Sequence, residues 1–277
     1  MKKILAVSGG IDSMVLMHIY RNDPGAVVAH FDHGIRPCSN LDLEFVQRVA
    51  KSYGRPFFAM RAELGENSSE EKARNARYAF LRQLSREQKA KIFVAHHADD
   101  VAETMAINIL RGTGWRGIAP FGNDEIVRPL LKWNKAQIYK YASRFQIRFR
   151  ADSTNTEDKY LRNRIRRQFL EYPEISARLK NEFLENYQLR AQIEQLDSEL
   201  VNDSASAPRD FYRQLDDACA LELLRYRFQL WQVSLTRPQL ARALFAIRTY
   251  QPNKSFSLNR RYLLRLGRHN FSLEEQG

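Results

Sequence analysis

The run ILAVSGGIDS at residues 4–13 joins four apolar residues to a turn rich in glycine and serine. An apolar run that ends in such a turn predicts a strand, a tight turn and the start of a helix near Asp12. Gly9 and Gly10 permit unusual backbone angles, so that several N–H groups at the helix N-terminus point at one anion. Ser8 and Ser13 add two hydroxyl groups. The run therefore predicts a phosphate-binding turn.

Other phosphate loops have different patterns. No GK[ST] follows the glycines, as a Walker A loop requires, and the dinucleotide-binding pattern GxGxxG is absent here. The alternative without function is a Gly/Ser turn at an ordinary strand–helix junction. If the turn does hold a triphosphate, Asp12 would repel it unless a cation intervened, which implies Mg²⁺.

The first half of the chain alternates short β-rich runs with helix-sized segments. This alternation predicts an α/β fold, with a parallel sheet and helices on both of its faces. The predicted strands are Ile4–Val7, Ala26–Phe31, Pro56–Met60, Ile92–Ala95 and Glu125–Arg128.

The pattern changes near Tyr172-Pro173, after which helical spacing predominates. We therefore predict a catalytic domain at 1–173 and a smaller, mainly helical domain at 174–277 that contacts nucleic acid. Within the second domain the predicted elements are a long helix from Ile175 to about Leu200, a loop at Asn202–Pro208, helices at Leu215–Leu230 and Pro238–Tyr250, and a hairpin at Phe256–Leu273.

Composition limits the class of protein. The 277 residues carry a formal net charge of +12, which favours a polyanionic partner such as nucleic acid; solubility alone is the other explanation. No apolar run is long enough for a membrane span, so a soluble protein is expected. The two cysteines, Cys38 and Cys219, are single and distant, which favours a reducing cytoplasm and disfavours a structural zinc or iron–sulfur site.

A second polar cluster follows the fourth predicted strand, at HHADDVAET, residues 96–104. This segment and the phosphate turn each follow the carboxyl end of a predicted strand. In an open parallel sheet these ends lie at the same edge, so the two segments should face each other. Asp100 and Glu103 share a helix face and suit an ammonium group, while Arg111 suits a carboxylate or phosphate. The alternative for both acids is charge stabilisation of a helix N-terminus.

A basic segment spans residues 144–167, which contain eight Lys and Arg and only three Asp and Glu. Two aromatic residues, Phe149 and Tyr160, lie among these charges. Such a segment suits a phosphate backbone with an unstacked loop base nearby. A solvated helix face is the alternative.

Taken together, the motifs resemble those of the tRNA(Ile)-lysidine synthetase family of PP-loop ATP pyrophosphatases, over about residues 1–168. The matching elements are SGGIDS (8–13), DHGIR (32–36), ARNARY (73–78), HHADDVAET (96–104), RGTGWRG (111–117), RPLL (128–131), DSTN (152–155) and LRNRIR (161–166).

The resemblance implies a PP-loop fold and an ATP-consuming ligase. The enzyme would adenylate the wobble cytidine of an isoleucine tRNA with a CAU anticodon, and free L-lysine would then displace AMP to give lysidine. Codon reading would change from AUG to AUA, and charging from methionine to isoleucine. ATP is implied to bind Ser8, Gly9, Gly10, Ile11, Asp12 and Ser13, with Mg²⁺ on Asp12 through the phosphates.

The resemblance also implies roles for the other polar residues. Asp12, Asp100 and Arg111 would be catalytic, and lysine would bind Asp100, Glu103 and Arg111. The tRNA would contact Arg162, Arg164, Arg166 and Arg167. Many members of the family have larger C-terminal domains that recognise the tRNA, and only about 100 residues follow the match here.

Three other functions fit parts of the pattern. A PP-loop tRNA thiolase shares the adenylation step, but such enzymes commonly use paired cysteines. Small PP-loop ligases that amidate nucleotides have no need of the basic segment. A non-catalytic RNA-binding protein on the same scaffold would be expected to have lost Asp12 or Ser13.

Overall fold

The computed structural model describes residues 2–32, 34, 39–62, 70–121, 126–150 and 161–276. They form two compact units, Met1–Arg190 and Ala191–Gly277. In the described part of the chain, no helix has the length and apolarity that a bilayer span requires.

The first unit alternates strands and helices, as predicted. Its strands are β1 (Lys2–Ala6), β2 (Ala26–Asp32), β3 (Phe57–Arg61), β4 (Ala90–Phe93) and β5 (Ile126–Val127). Its helices are α1 (Ile11–Ile19), α2 (Ser39–Ser52), α3 (Glu70–Gln88), α4 (Ala98–Leu110), α5 (Trp115–Ile118), α6 (Lys135–Arg144) and α7 (Leu161–Glu171), followed by the first part of α8 (Pro173–Leu200).

The five strands form one parallel sheet in the order β3-β2-β1-β4-β5. The strand order reverses on either side of β1, where Ile4 lies opposite Val27 of β2 and Ile92 of β4. In open α/β sheets a ligand site forms at such a switch point, outside the carboxyl ends of the strands. The predicted parallel sheet is confirmed, and its switch point lies at the phosphate turn.

Alternate residues of β1 enter opposite cores, because side chains of a strand alternate between the faces of a sheet. Leu5, and Val7 directly after the strand, pack in the cluster that contains residues of α1, α2 and α6. Ile4 packs in the other cluster, with residues of α3. Helices therefore cover both faces, as predicted.

The second unit combines helices with a small antiparallel sheet. Its elements after α8 are β6 (Ser206–Pro208), α9 (Arg209–Gln214), α10 (Asp217–Leu230), α11 (Arg237–Thr249), β7 (Lys254–Ser257), β8 (Tyr262–Leu266) and β9 (Asn270–Glu275). The predicted long helix and the two later helices are confirmed.

Two predictions for this unit are corrected. Residues 256–273 are part of a three-stranded meander, not a hairpin, because the chain turns twice and β8 pairs with both β7 and β9. The end of the predicted 202–208 loop is β6, which pairs with β9 across a long stretch of sequence. Ala207 of this strand is fully buried in the core of the unit.

Candidate active site

The phosphate turn is organised by the Ser13 hydroxyl group. Its Oγ accepts the N–H groups of Ser8 and Gly9, at 3.1 and 3.2 Å, and donates to the carbonyl oxygen of Gly10 at 2.9 Å. Gly9 has a φ of +98°, a region that L side chains rarely adopt. A Cβ at Gly9 would still have ordinary contacts, 3.5 Å from Val46 Cγ2, so the backbone angle and not the space requires glycine.

Asp12 lies in the first turn of α1 and binds a lysine that the sequence analysis did not select. The Nζ of Lys135 donates to both carboxylate oxygens of Asp12, at 2.6 and 2.8 Å. Lys135 is the first residue of α6, and a reciprocal capping box between Asn134 and Gln137 fixes that helix start. The structure thus brings a cation from α6, the helix that follows β5, to the acid of the phosphate turn.

His97 joins the two polar clusters that the sequence predicts to face each other. Its Nε2 lies 3.7 Å from Asp12 Oδ1 and 3.5 Å from Asp100 Oδ2. His97 is also the N-cap of α4, where its backbone N–H donates to Asp100 Oδ2 at 3.0 Å. Burial opposes protonation of the imidazole, but the carboxylates of Asp99, Asp100 and Asp12 outweigh burial and raise the pKa of His97.

Asp99 connects α4 to two other elements. Its carboxylate accepts the backbone N–H of Lys135 at 2.8 Å, and it also pairs with the ammonium group of Lys180 on α8. Burial acts to raise the pKa of Asp99, but hydrogen bonds from His97, Lys180 and Lys135 hold this pKa far below its usual value. Asp99 therefore positions α6 and its Lys135 relative to α4.

Glu103 is buried and already bound to cations from α7. Its Oε2 accepts from Arg166 Nη2 at 3.2 Å and lies 3.3 Å from Arg162 Nε. Burial raises the pKa of Glu103, although Arg166 and Arg162 act in the opposite direction. Arg166 also lies 3.8 Å from Asp100 Oδ1, so one guanidinium group faces both acids.

The remaining predicted site residues lie apart from this cluster. Arg111 is the exposed C-cap of α4, about 16 Å along the helix axis from Asp100 at a rise of about 1.5 Å per residue. Arg164 and Arg167 are exposed on α7. The structure therefore divides the predicted tRNA-binding arginines into an inward pair, Arg162 and Arg166, and an outward pair.

Several motif residues lie outside the described residues. They are His33, Ile35 and Arg36 of the DHGIR motif, Cys38, and the DSTN motif at 152–155. Within the described ranges, Cys219 is an exposed thiol on α10. The described residues also contain no group of three or more His, Cys, Asp or Glu side chains that could hold a metal ion by themselves.

Comparison with known proteins shows the family of this chain. Residues 1–172 match the PP-loop domain family, which is more than half of the chain, so the chain belongs to the PP-loop family. It is also similar to proteins named tRNA(Ile)-lysidine synthase, as the motifs predicted. The Thermotoga maritima protein is 36% identical over 177 residues, which cover 59% of this chain and 43% of that protein. The Caldanaerobacter subterraneus subsp. tengcongensis protein is 37% identical over 207 residues, which cover 69% and 44%.

The chain spans less than half of the length of these relatives. Among solved structures, it is similar to the U34-tRNA thiolase NcsA from Methanococcus maripaludis with its [4Fe-4S] cluster. The TM-score is 0.56 at 18% identity, with 69% of this chain and 72% of that chain covered. At this identity the likeness supports the fold alone, and it confirms the predicted PP-loop architecture.

Proposed function

We propose that the chain catalyses the formation of lysidine, by joining free L-lysine to C2 of the wobble cytidine of an isoleucine tRNA with a CAU anticodon. ATP is consumed to AMP and pyrophosphate. The observation that carries the proposal is the series of contacts from Asp12 through His97 to Asp100, which links a nucleotide-binding turn to an acidic site. The names of the similar proteins support the same reaction.

The phosphate turn and Asp12 would bind the pyrophosphate end of ATP. The N–H groups of the turn and the N-terminus of α1 provide donors for anionic oxygens. The Asp12 carboxylate is partly exposed and already pairs with an ammonium group, so a divalent cation also fits there. When bound, Mg²⁺ would neutralise charge on the departing pyrophosphate. Ligation mainly by phosphate oxygens is consistent with the absence of a protein-only metal cluster in the described ranges.

Lysine would bind on the other side of His97. Asp100 offers a partly exposed carboxylate for an ammonium group, and Arg166 offers a guanidinium group that suits the lysine carboxylate. Glu103 would act by holding Arg166 in place. The predicted role of Arg111 in this site stays a prediction. Because Arg111 lies at the other end of α4 from Asp100, its replacement tests whether lysine binds where we propose.

The chemistry needs an activated leaving group. In the first step the carbonyl oxygen at C2 of cytosine attacks the α-phosphate and pyrophosphate departs. In the second step the ε-amine of lysine, after losing a proton, attacks C2, and AMP departs with the carbonyl oxygen. Asp100 and His97 line the proposed lysine site and could accept that proton.

RNA binding would use the outward arginines of α7. Arg164 and Arg167 are exposed and suit phosphate contacts. The proposed product would pair with A, so that the tRNA reads AUA in place of AUG and is charged with isoleucine in place of methionine.

The test is incubation of the protein with isoleucine tRNA bearing a CAU anticodon, Mg-ATP and radiolabelled lysine. The expected result is label in precipitated RNA that depends on ATP and on the wobble cytidine. A tRNA with another base at the wobble position is the matched control. Pyrophosphate release without lysine label in the RNA, seen when a sulfur donor or another tRNA is supplied, would instead support the alternative of a PP-loop tRNA thiolase.

A further inference from the structure

Two aromatic rings lie exposed beside the phosphate turn. Tyr139 of α6 is 51% exposed and Phe149 is 40% exposed. Their ring centroids are 6.4 Å apart, with an interplanar angle of 73°. Exposed aromatic faces are the surfaces on which single-stranded nucleic acids stack their bases. We call this pair the aromatic ledge.

The ledge is connected to the phosphate turn at both of its ends. The Nζ of Lys135, which binds Asp12, also lies 5.6 Å from the centroid of the Tyr139 ring. Arg150, which follows Phe149, donates its backbone N–H to the carbonyl oxygen of Gly9 at 3.0 Å. The ledge is therefore held beside the position at which adenylation would occur.

The charge around the ledge favours a polyanion. Residues 126–150 contain seven Lys and Arg and no Asp or Glu, although Asp12 and Asp42 from other elements pair with two of these cations. Lys140 and Arg148, the chain neighbours of the two rings, are both exposed. Aromatic faces flanked by cations are typical of sites that bind unpaired nucleotides, whereas duplex recognition depends mainly on backbone and groove contacts.

We infer that the aromatic ledge stacks an unpaired anticodon-loop nucleotide next to the cytidine that is adenylated. The inference rests on the proposed function. A base that must reach an enzyme site leaves its neighbours in the loop, and those neighbours lose their stacking partner. Tyr139 and Phe149 would replace that partner, while Lys140 and Arg148 would contact the adjoining phosphates. The alternative occupant, which the experiment separates, is the adenine ring of ATP.

The experiment uses an anticodon stem–loop RNA with 2-aminopurine beside the wobble cytidine. Its affinity and its bound fluorescence are measured with the full chain and with Tyr139→Ala, Tyr139→Phe and Phe149→Ala. The affinity for Mg-ATP is measured separately for each variant. Phe58→Ala, at an exposed aromatic on β3, is the matched control.

We expect each alanine variant to weaken RNA binding about tenfold or more, as loss of one base–aromatic stack predicts. The bound 2-aminopurine should also be brighter in these variants than in the original protein, because stacking on a ring quenches it. Tyr139→Phe and Phe58→Ala should retain the RNA affinity, and ATP affinity should not change.

The possible failures are distinguishable. If the original protein binds the stem–loop and both alanine variants bind it equally well, the ledge is overturned and the proposed function stands. If the variants lose ATP affinity and keep RNA affinity, the ledge belongs to adenine and the inference is wrong. If the original protein binds the stem–loop no better than a duplex of equal length, the ledge is overturned, and the lysine-labelling experiment decides separately whether the proposed function also fails.

Discussion

The ammonium group of Lys135 binds both carboxylate oxygens of Asp12, at 2.6 and 2.8 Å. The two residues are 123 positions apart in the chain and come from α6 and α1. A lysine in this position can move from the carboxylate to a phosphate oxygen when a metal ion takes its place on Asp12. Lys135 is therefore a candidate for binding the phosphates of ATP.

Replacing Lys135 with methionine should weaken ATP use. A hydrogen bond to a charged group contributes about 1.5–3 kcal/mol, so the KM for ATP should rise about tenfold to a hundredfold. Stability should change by less than about 1 kcal/mol, because the Lys135–Asp12 pair is partly exposed. Pyrophosphate release at varied ATP measures the first effect. Lys132→Met, at an exposed lysine of the same segment, is the control, and an equal loss there would contradict the assignment.

Replacing Asp12 with alanine should abolish adenylation and spare tRNA binding. Loss of metal-assisted stabilisation worth several kcal/mol predicts at least about a hundredfold slower pyrophosphate release. The turn itself should persist, because its hydrogen bonds are made by Ser13 and not by Asp12. Pyrophosphate release and the affinity for tRNA are measured in parallel. Normal turnover in this variant would exclude the assigned role.

Much of the fold followed from local sequence patterns. The five strands of the first unit were predictable because apolar runs such as Ala26–Phe31 are buried on both faces of a parallel sheet. The strand β6 was not predictable, because its three residues are a strand only through pairing with β9, more than 60 residues later. Long-range pairing leaves little trace in so short a segment.

The site was predictable where local motifs form it. The phosphate turn and the N-terminus of α4 each lie within one short segment. Lys135 was missed, and Arg166 was predicted to contact tRNA and not to face Asp100 and Glu103, because the positions of both residues depend on where α6 and α7 pack. For Lys135, the one usable signal was its place after Asn134, because asparagine is a residue type that commonly caps a helix N-terminus.

Replacing Glu103 and Asp100 should separate a structural acid from a functional one. Glu103→Gln removes the buried charge that faces two guanidinium groups, so the free energy of unfolding should fall by about 3 kcal/mol. Asp100→Asn keeps an acceptor for the His97 N–H and should cost less than about 1 kcal/mol. It should instead raise the KM for lysine about tenfold or more. Urea unfolding and lysine-dependent kinetics measure these effects, and the reverse pattern would refute the division.

Replacing the outward arginines of α7 should change how tRNA binding depends on salt. Removal of one side chain that binds a phosphate should lower the slope of log affinity against log salt by about 1. We expect this for Arg164→Ala and for Arg167→Ala, and pyrophosphate release at saturating tRNA should be retained. Arg48→Ala, at an exposed arginine of α2, is the control. Unchanged slopes in both α7 variants would remove this surface from the RNA site.

Comparing Arg166 with Arg111 should identify the cation that binds the lysine carboxylate. Arg166 lies 3.8 Å from Asp100, whereas Arg111 is about 16 Å away along α4. A planar guanidinium group presents two parallel N–H donors that match the two oxygens of a carboxylate, whereas an ammonium group is a compact charge without this fixed fork, so Arg166→Lys keeps the charge and loses that geometry. We expect Arg166→Lys to raise the KM for lysine about tenfold and Arg111→Lys to change it less than about twofold. The KM for ATP serves as the internal control. A larger effect at Arg111 than at Arg166 would contradict the assignment of Arg166 to the lysine carboxylate.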